Sequence, residues 1–189
     1  RISSDDVFEK ILNSDIEKIR KTLEESNRED FYNAVDTIIS AKRIYIVGTR
    51  SASALARFLA YYFNLMFENA RFINTASTSE MFEQIMRIEK GDVMIGISFP
   101  RYSKQTAKAL SFAAGNGAKV VAITDSQNSP IAEYSTHTLI AKSDMASFVD
   151  SLVAPMSLIN ALIIAIGIKK QDEIKTNFEH LEDIWDKYD

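Results

Sequence analysis

The stretch DVMIGISFPRYSKQTAKALSFAAGNG (residues 92–117) decides how the rest of the chain is read. Its opening is an apolar run bounded by Gly91 and Asp92, the pattern of a strand buried on both faces of a parallel sheet. Its second half places Ala107, Leu110, Ala113 and Ala114 on one face of a helix, which Gly115 and Gly117 should end. Between the two lie Ser98, Ser103 and Thr106, hydroxyls at a strand's carboxyl end and a helix's amino end. That position in an α/β protein offers free backbone N–H groups and the positive end of a helix dipole. It suits an anion, most often a phosphate.

A chain of 189 residues suffices for one domain with a substantial core. Twenty-six acidic against 22 basic residues give a net charge of −4, which argues against this segment gripping nucleic acid itself. The absence of cysteine excludes disulfides and thiolate chemistry and suits a reducing, cytoplasmic setting. The most apolar segment, around residues 158–168, is too short to span a bilayer, and no signal-peptide pattern opens the chain. The first residue is Arg1 rather than Met, so a native protein extending upstream is expected.

Residues 3–41 read as helical. A short apolar face (Val7, Phe8, Ile11, Leu12) should stop at Asn13, and Ser14 with Glu17 forms a capping box that opens a second helix bearing Ile16, Ile19 and Leu23. Asn27 is placed to cap a third. Strands follow at 44–48 (IYIVG), 71–74 (RFIN), 92–98, 118–124 (AKVVAIT) and 136–141 (THTLIA). Helices alternate with them: 52–67, one capped by Thr78 or Ser79, the helix of the opening stretch, a short turn with Ser129 as cap and Pro130 first, and a long apolar helix over 148–168 that Pro155 kinks or begins. A final helix carries Ile174, Phe178, Leu181, Trp185 and Tyr188 on a single seam, either closing the fold or meeting another subunit. The alternation predicts an α/β protein, a three-layer αβα sandwich around a five-stranded parallel sheet, with a helical lead-in and a C-terminal helix. Ligands of such sheets bind beyond the strands' carboxyl ends, so the turns 48–53 and 98–103 are expected to be neighbours.

These two Ser-bearing turns, in IYIVGTRSASALA (44–56) and MIGISFPRYSKQT (94–106), resemble the SIS, or sugar isomerase, domain. With the lead-in SDIEKIRKTL (14–23), the chain looks like the ligand-sensing half of an RpiR-type transcriptional regulator. The resemblance implies a flavodoxin-like strand order, a lead-in over residues 1–29 from an upstream helix-turn-helix domain, and a SIS domain over 30–189. It further implies a phosphorylated sugar or amino sugar as effector, a homodimer or higher homo-oligomer, contact with DNA only through the upstream domain, no membrane partner and no cofactor. The first turn's serine matches Ser51, with Ser53 close behind. In sugar-phosphate-binding members the second turn reads Ser-Gln-Ser-Gly-Glu-Thr, whose first and last residues match Ser98 and Ser103. The middle Ser and Gly are here Pro100 and Arg101, which removes a hydroxyl and an N–H and adds a bidentate cation.

The candidate ligand-binding residues are therefore Ser51, Ser53, Ser98, Ser103, Thr106, Arg50, Arg101 and Glu80, with no catalytic or metal-binding residue expected. Each has a plainer reading: helix caps for the hydroxyls, solvated side chains for the arginines, a favourable first-turn carboxylate for Glu80. An aldose–ketose isomerase of the same fold is the alternative, with Glu80, Glu83 or His137 as base. A domain that dimerises without a ligand is the third. Two histidines and no cysteine leave no metal cluster, GTRSAS is not a dinucleotide motif, and no Ser–His–Asp spacing is recognisable. The six methionines read as core filler.

Overall fold

The computed structural model describes residues 6–145 and 148–188. Five apolar, largely β-branched runs form strands: Ile44–Gly48 (β1), Ala70–Ile73 (β2), Val93–Ile97 (β3), Lys119–Thr124 (β4) and His137–Ile140 (β5). All pair in parallel, in the order β2-β1-β3-β4-β5. Every residue of β1 and β3 is buried, as strands covered on both faces must be, whereas the edge strands β2 and β5 are partly exposed. The strand order reverses at the β1/β3 pair, and its register sets Gly48 beside Ile97. The turns that leave these two strands therefore start side by side, at the place where such sheets take ligands.

Alternate strand residues face opposite layers. Ile44, Ile46, Ile95 and Val121 pack under helices Arg28–Ile39 (α2), Ala52–Met66 (α3) and Val153–Lys169 (α6). Tyr45, Val47, Met94 and Val120 pack under Thr78–Ile85 (α4) and Lys104–Gly115 (α5). Two glycines set how closely helices approach. A Cβ on Gly48 would stand 2.9 Å from the Ala52 carbonyl oxygen, so the missing side chain lets α3 turn back directly over the end of β1. A Cβ on Gly96 would lie 2.3 Å from Leu110 Cδ1, so the bare position lets the Leu110 side chain of α5 pack directly on β3.

Several local expectations are corrected. Within the described residues the N-terminal pattern is one continuous helix, Val7–Glu25 (α1), rather than two; Ser3 lies outside them. Asn13 is no breaker because an interior Asn costs a helix only a fraction of a kcal/mol, about 0.7 at most. Ser14 is not a cap; its hydroxyl accepts a hydrogen bond from Lys18 Nζ at 2.8 Å. α1 is also inverted: Lys18 and Thr22 are buried, while Phe8, Ile16 and Leu23 are exposed. Ser77, not Thr78 or Ser79, caps α4 by accepting from the Glu80 N–H at 3.3 Å. Ser129 caps nothing, its hydroxyl being buried without a partner ahead of a 3-10 turn at Ala132–Tyr134, so Pro130 precedes that turn instead of opening it. α6 begins at Val153, with Pro155 in its first turn, where its missing N–H is harmless.

The last helix, Gln171–Tyr188 (α7), leaves α6 through a 96° bend. Ile174 reaches the core, but Phe178, Trp185 and Tyr188 are exposed, so the seam does not close the fold beyond its first turn. Among the described residues no single helix is long and apolar enough to cross a bilayer.

Candidate functional site

After β1 the chain turns through Thr49, Arg50 and Ser51 into α3. Arg50 is left-handed, with φ +58°, a region costly for a side chain larger than glycine's. Ser53 braces this turn by donating its hydroxyl to the Arg50 carbonyl at 2.6 Å. Ser51 stands at the N-cap of α3 without capping it; its hydroxyl donates instead to Asp150 Oδ2 at 2.8 Å.

The second turn is built alike. Ser98, 2% exposed at the end of β3, accepts from the Ser103 N–H at 3.1 Å. Ser103 caps α5 by accepting from the Thr106 N–H at 3.2 Å. Both serines bond as acceptors, so each keeps its own O–H proton to donate. Arg101 is also left-handed, with φ +64°, a conformation that glycine, the residue at this place in the motif the sequence resembles, adopts without steric cost. Next to it the Tyr102 hydroxyl donates to Asp125 Oδ1 at 2.7 Å; burial and that carboxylate push the phenol up to about 12.

The two turns enclose a cavity of about 210 Å³, lined by Thr49, Arg50, Ser51, Ala52, Ser98, Phe99, Pro100, Arg101, Ser103 and Asp150. The amino ends of α3 and α5 both open on it, bringing unsatisfied N–H groups and two positive dipole ends. Asp150 is salt-bridged to Arg101 at 3.1 Å, and Arg50 lines the same cavity, so two arginines stand there beside that carboxylate. The arrangement can bind and charge-balance a small polyanion. A larger hollow of about 580 Å³ among α3, α6 and α7 is lined almost wholly by apolar side chains and offers no such set of donors.

Of the residues singled out from the sequence, Arg50, Ser51, Ser98, Arg101 and Ser103 share this cavity. Ser53 lies behind it as a brace. Thr106 is fully buried one turn into α5, its hydroxyl without a partner and off the cavity wall. Glu80 lies on α4, accepting from the Thr75 hydroxyl, and is not a lining residue. Glu83 lines a separate hollow with Arg71 and Arg87. His137 begins the edge strand β5, two strands away from β3 and level with the middle of the sheet, where Asp30 (Nδ1, 2.7 Å) and Thr37 (Nε2, 3.0 Å) hold its ring. Among the described residues no three acidic or histidine side chains are placed to hold a metal ion. Two polar lining residues escaped the sequence reading. Thr49, whose buried hydroxyl lacks a partner, carried the same strand-end signal as Ser98; Asp150 lies 99 residues from Ser51 and carried none.

Comparison with known proteins agrees with this geometry. The SIS domain family model matches residues 37–165. The HTH-type transcriptional regulator TTE0211 of Caldanaerobacter subterraneus subsp. tengcongensis is 26% identical over 191 residues, covering 96% of this chain and 66% of that protein. The chain spans between a quarter and two thirds of the curated relatives it matches, with shares of 66%, 36% and 25%. The sugar isomerase domain of an RpiR transcription factor from Sphaerobacter thermophilus superposes with a TM-score of 0.89 at 25% identity, covering 94% of this chain and 98% of that one. NanR of Vibrio vulnificus, solved in complex with ManNAc-6P, gives 0.81 at 20% identity, covering 96% and 69%. The family match, the strand order and the paired turns agree: this chain belongs to the SIS domain family.

Proposed function

We propose that this chain is the effector-binding part of an RpiR-type transcriptional regulator of carbohydrate metabolism, working in the cytoplasm. A phosphorylated sugar or amino sugar seats its phosphate between the turns after β1 and β3. The observation that carries this reading is the cavity itself: free Ser98 and Ser103 protons, two arginines and two helix amino ends converge on it. The regulators among its relatives, and the phosphorylated amino sugar in NanR, support the ligand class. Residues 1–29 are then the lead-in from a DNA-binding domain, and residues 30–189 the sensing domain. The outward apolar stripes of α1 and α7 suit contact with a second copy.

An isomerase reading has one observation in its favour, since phosphoheptose isomerase of Neisseria gonorrhoeae shares the fold. Proton transfer between sugar carbons needs a base in reach. Glu80, Glu83 and His137 do not line the cavity, and the one carboxylate that does, Asp150, is engaged by Ser51 and Arg101. The sensor is the better account.

Thermal shift and calorimetry with hexose 6-phosphates, N-acetylhexosamine 6-phosphates and pentose 5-phosphates, beside the unphosphorylated sugars, test the reading. At one hundred times its Kd a true ligand stabilises the native state by about 2.7 kcal/mol. Stabilisation by a phosphorylated sugar, recovered chemically unchanged, is the expected result. No stabilisation, or equal stabilisation by the free sugars, overturns the reading, and conversion of aldose to ketose establishes the enzyme.

A further inference from the structure

Two of the groups proposed for the effector's phosphate already hold an anion belonging to the chain. Asp150 stands on the connection between β5 and α6, and its side chain is only 15% exposed. Its Oδ2 accepts from the Ser51 hydroxyl at 2.8 Å and its Oδ1 from an Arg101 guanidinium N–H at 3.1 Å. One hydroxyl and one guanidinium N–H on two carboxylate oxygens is also how they would hold two phosphate oxygens. A dianionic phosphate and the Asp150 carboxylate cannot share these donors, because each donor proton serves one oxygen and the like charges repel.

The segment that carries Asp150 is tied to α1 on both sides. The Ser151 hydroxyl donates to Asp15 Oδ1 at 2.7 Å, and the Ser143 hydroxyl donates to the Ser151 carbonyl at 3.0 Å. The Lys142 N–H donates to the Thr22 hydroxyl at 2.9 Å, and its ammonium pairs with Glu25. Asp15 in turn faces the nearly buried Lys18 ammonium at 3.4 Å. These bonds explain why α1 turns its polar face inward, which its sequence pattern did not foretell.

We propose that Asp150 is an internal stand-in for the effector's phosphate, displaced when a sugar phosphate takes Ser51 and Arg101, and that its release is passed through Ser151 to Asp15 on α1. The inference rests on the anion site argued under the proposed function and adds how that site is read out. It supplies what a sensor needs. The ligand binds the state with Asp150 withdrawn far better than the state with Asp150 seated, and only such a difference shifts a population. α1 is the first helix of the described chain, so it is placed to carry the change toward whatever precedes it.

The test uses glucosamine 6-phosphate and inorganic phosphate as probes on the full chain, by calorimetry and by amide hydrogen exchange. Asp150→Asn keeps the side chain's size and removes its charge. It should bind both probes at least about tenfold tighter than the parent protein, and Asp150→Ala should change in the same direction. In the parent protein, saturating probe should speed exchange over residues 15–25. In Asp150→Asn that exchange should be fast from the start and indifferent to probe. Unchanged or weaker binding by Asp150→Asn overturns the displacement, and unchanged α1 exchange in the parent overturns the relay. The two levels of failure separate. If the parent binds a probe and Ser98→Ala weakens that binding by about tenfold or more, the anion site stands whatever Asp150→Asn does. If neither the parent nor Asp150→Asn binds any probe, the site falls and the stand-in with it.

Discussion

At the amino ends of β1 and β3, Arg43 grips Asp92 through two hydrogen bonds, Nε to Oδ1 at 3.0 Å and Nη2 to Oδ2 at 2.8 Å, and Asp92 is wholly buried. Its Oδ2 also accepts from the Glu89 N–H at 2.9 Å. That carboxylate raises the Arg43 pKa further, and Lys42 lowers that of Glu89. At the carboxyl ends of the same two strands the corresponding pair, Arg101 and Asp150, is open, the arginine side chain being 56% exposed. There both turns contain a left-handed arginine, the Thr49 hydroxyl has no partner, and two serines keep free protons. One end of the sheet satisfies its polar groups with one another and holds the fold. The other keeps strain and unmet polar groups, the condition in which a site waits for a ligand.

If that contrast is right, mutations at the two ends should separate stability from binding. The largest effect belongs to Arg43→Ala, which strands a buried carboxylate and should cost about 3–5 kcal/mol in urea unfolding. Effector affinity of the protein that remains folded should be unchanged; a loss of affinity would mean that the two ends are not independent. Ser98→Ala, at the other end, removes a hydrogen bond to a charged group, so affinity should fall by about 1.5–3 kcal/mol, or roughly ten- to a hundredfold. Its stability should fall by only about 1 kcal/mol, because the Ser103 N–H loses its acceptor.

Arg101→Gly sharpens the comparison. Relief of the left-handed backbone and the added freedom of the unfolded chain oppose each other, so stability should move by no more than about 1 kcal/mol. Affinity should still fall by about tenfold or more through the lost guanidinium. A large loss of stability would make Arg101 structural.

The smallest effect is spectroscopic. Tyr102, raised from 10.0 to about 12, should give a late transition in an alkaline absorbance titration. Because the folded value lies above the unfolded one, its contribution is intact below about pH 10 and is lost as pH rises toward 12. Tyr102→Phe should remove both the late transition and that part of the alkaline instability.

Much of this arrangement was legible in the sequence because it is encoded locally. Five apolar runs gave five strands, the Asn27 and Ser103 caps were readable from single residues, and the adjacency of the two turns followed from the alternation of strands and helices. What was not legible depends on partners distant in the chain. Asp150 meets Ser51 across 99 residues, and nothing in the surrounding SFVDS marks it as a site residue. The apolar stripe of α1 resembled a core-facing one, but the contacts of Asp15 and Thr22 turn the opposite face inward. His137 carried the chemistry of a base, yet it lies on the edge strand β5, two strands from β3, with its ring held by Asp30 and Thr37.

The most direct measurement is a crystal structure of this chain with the sugar phosphate that stabilises it most. The account predicts the phosphate between the turns after β1 and β3, within hydrogen-bond distance of the hydroxyls of Ser51, Ser98 and Ser103 and of the Arg101 guanidinium. A phosphate bound anywhere else, or a cavity that stays empty while the sugar occupies the apolar hollow among α3, α6 and α7, would contradict it.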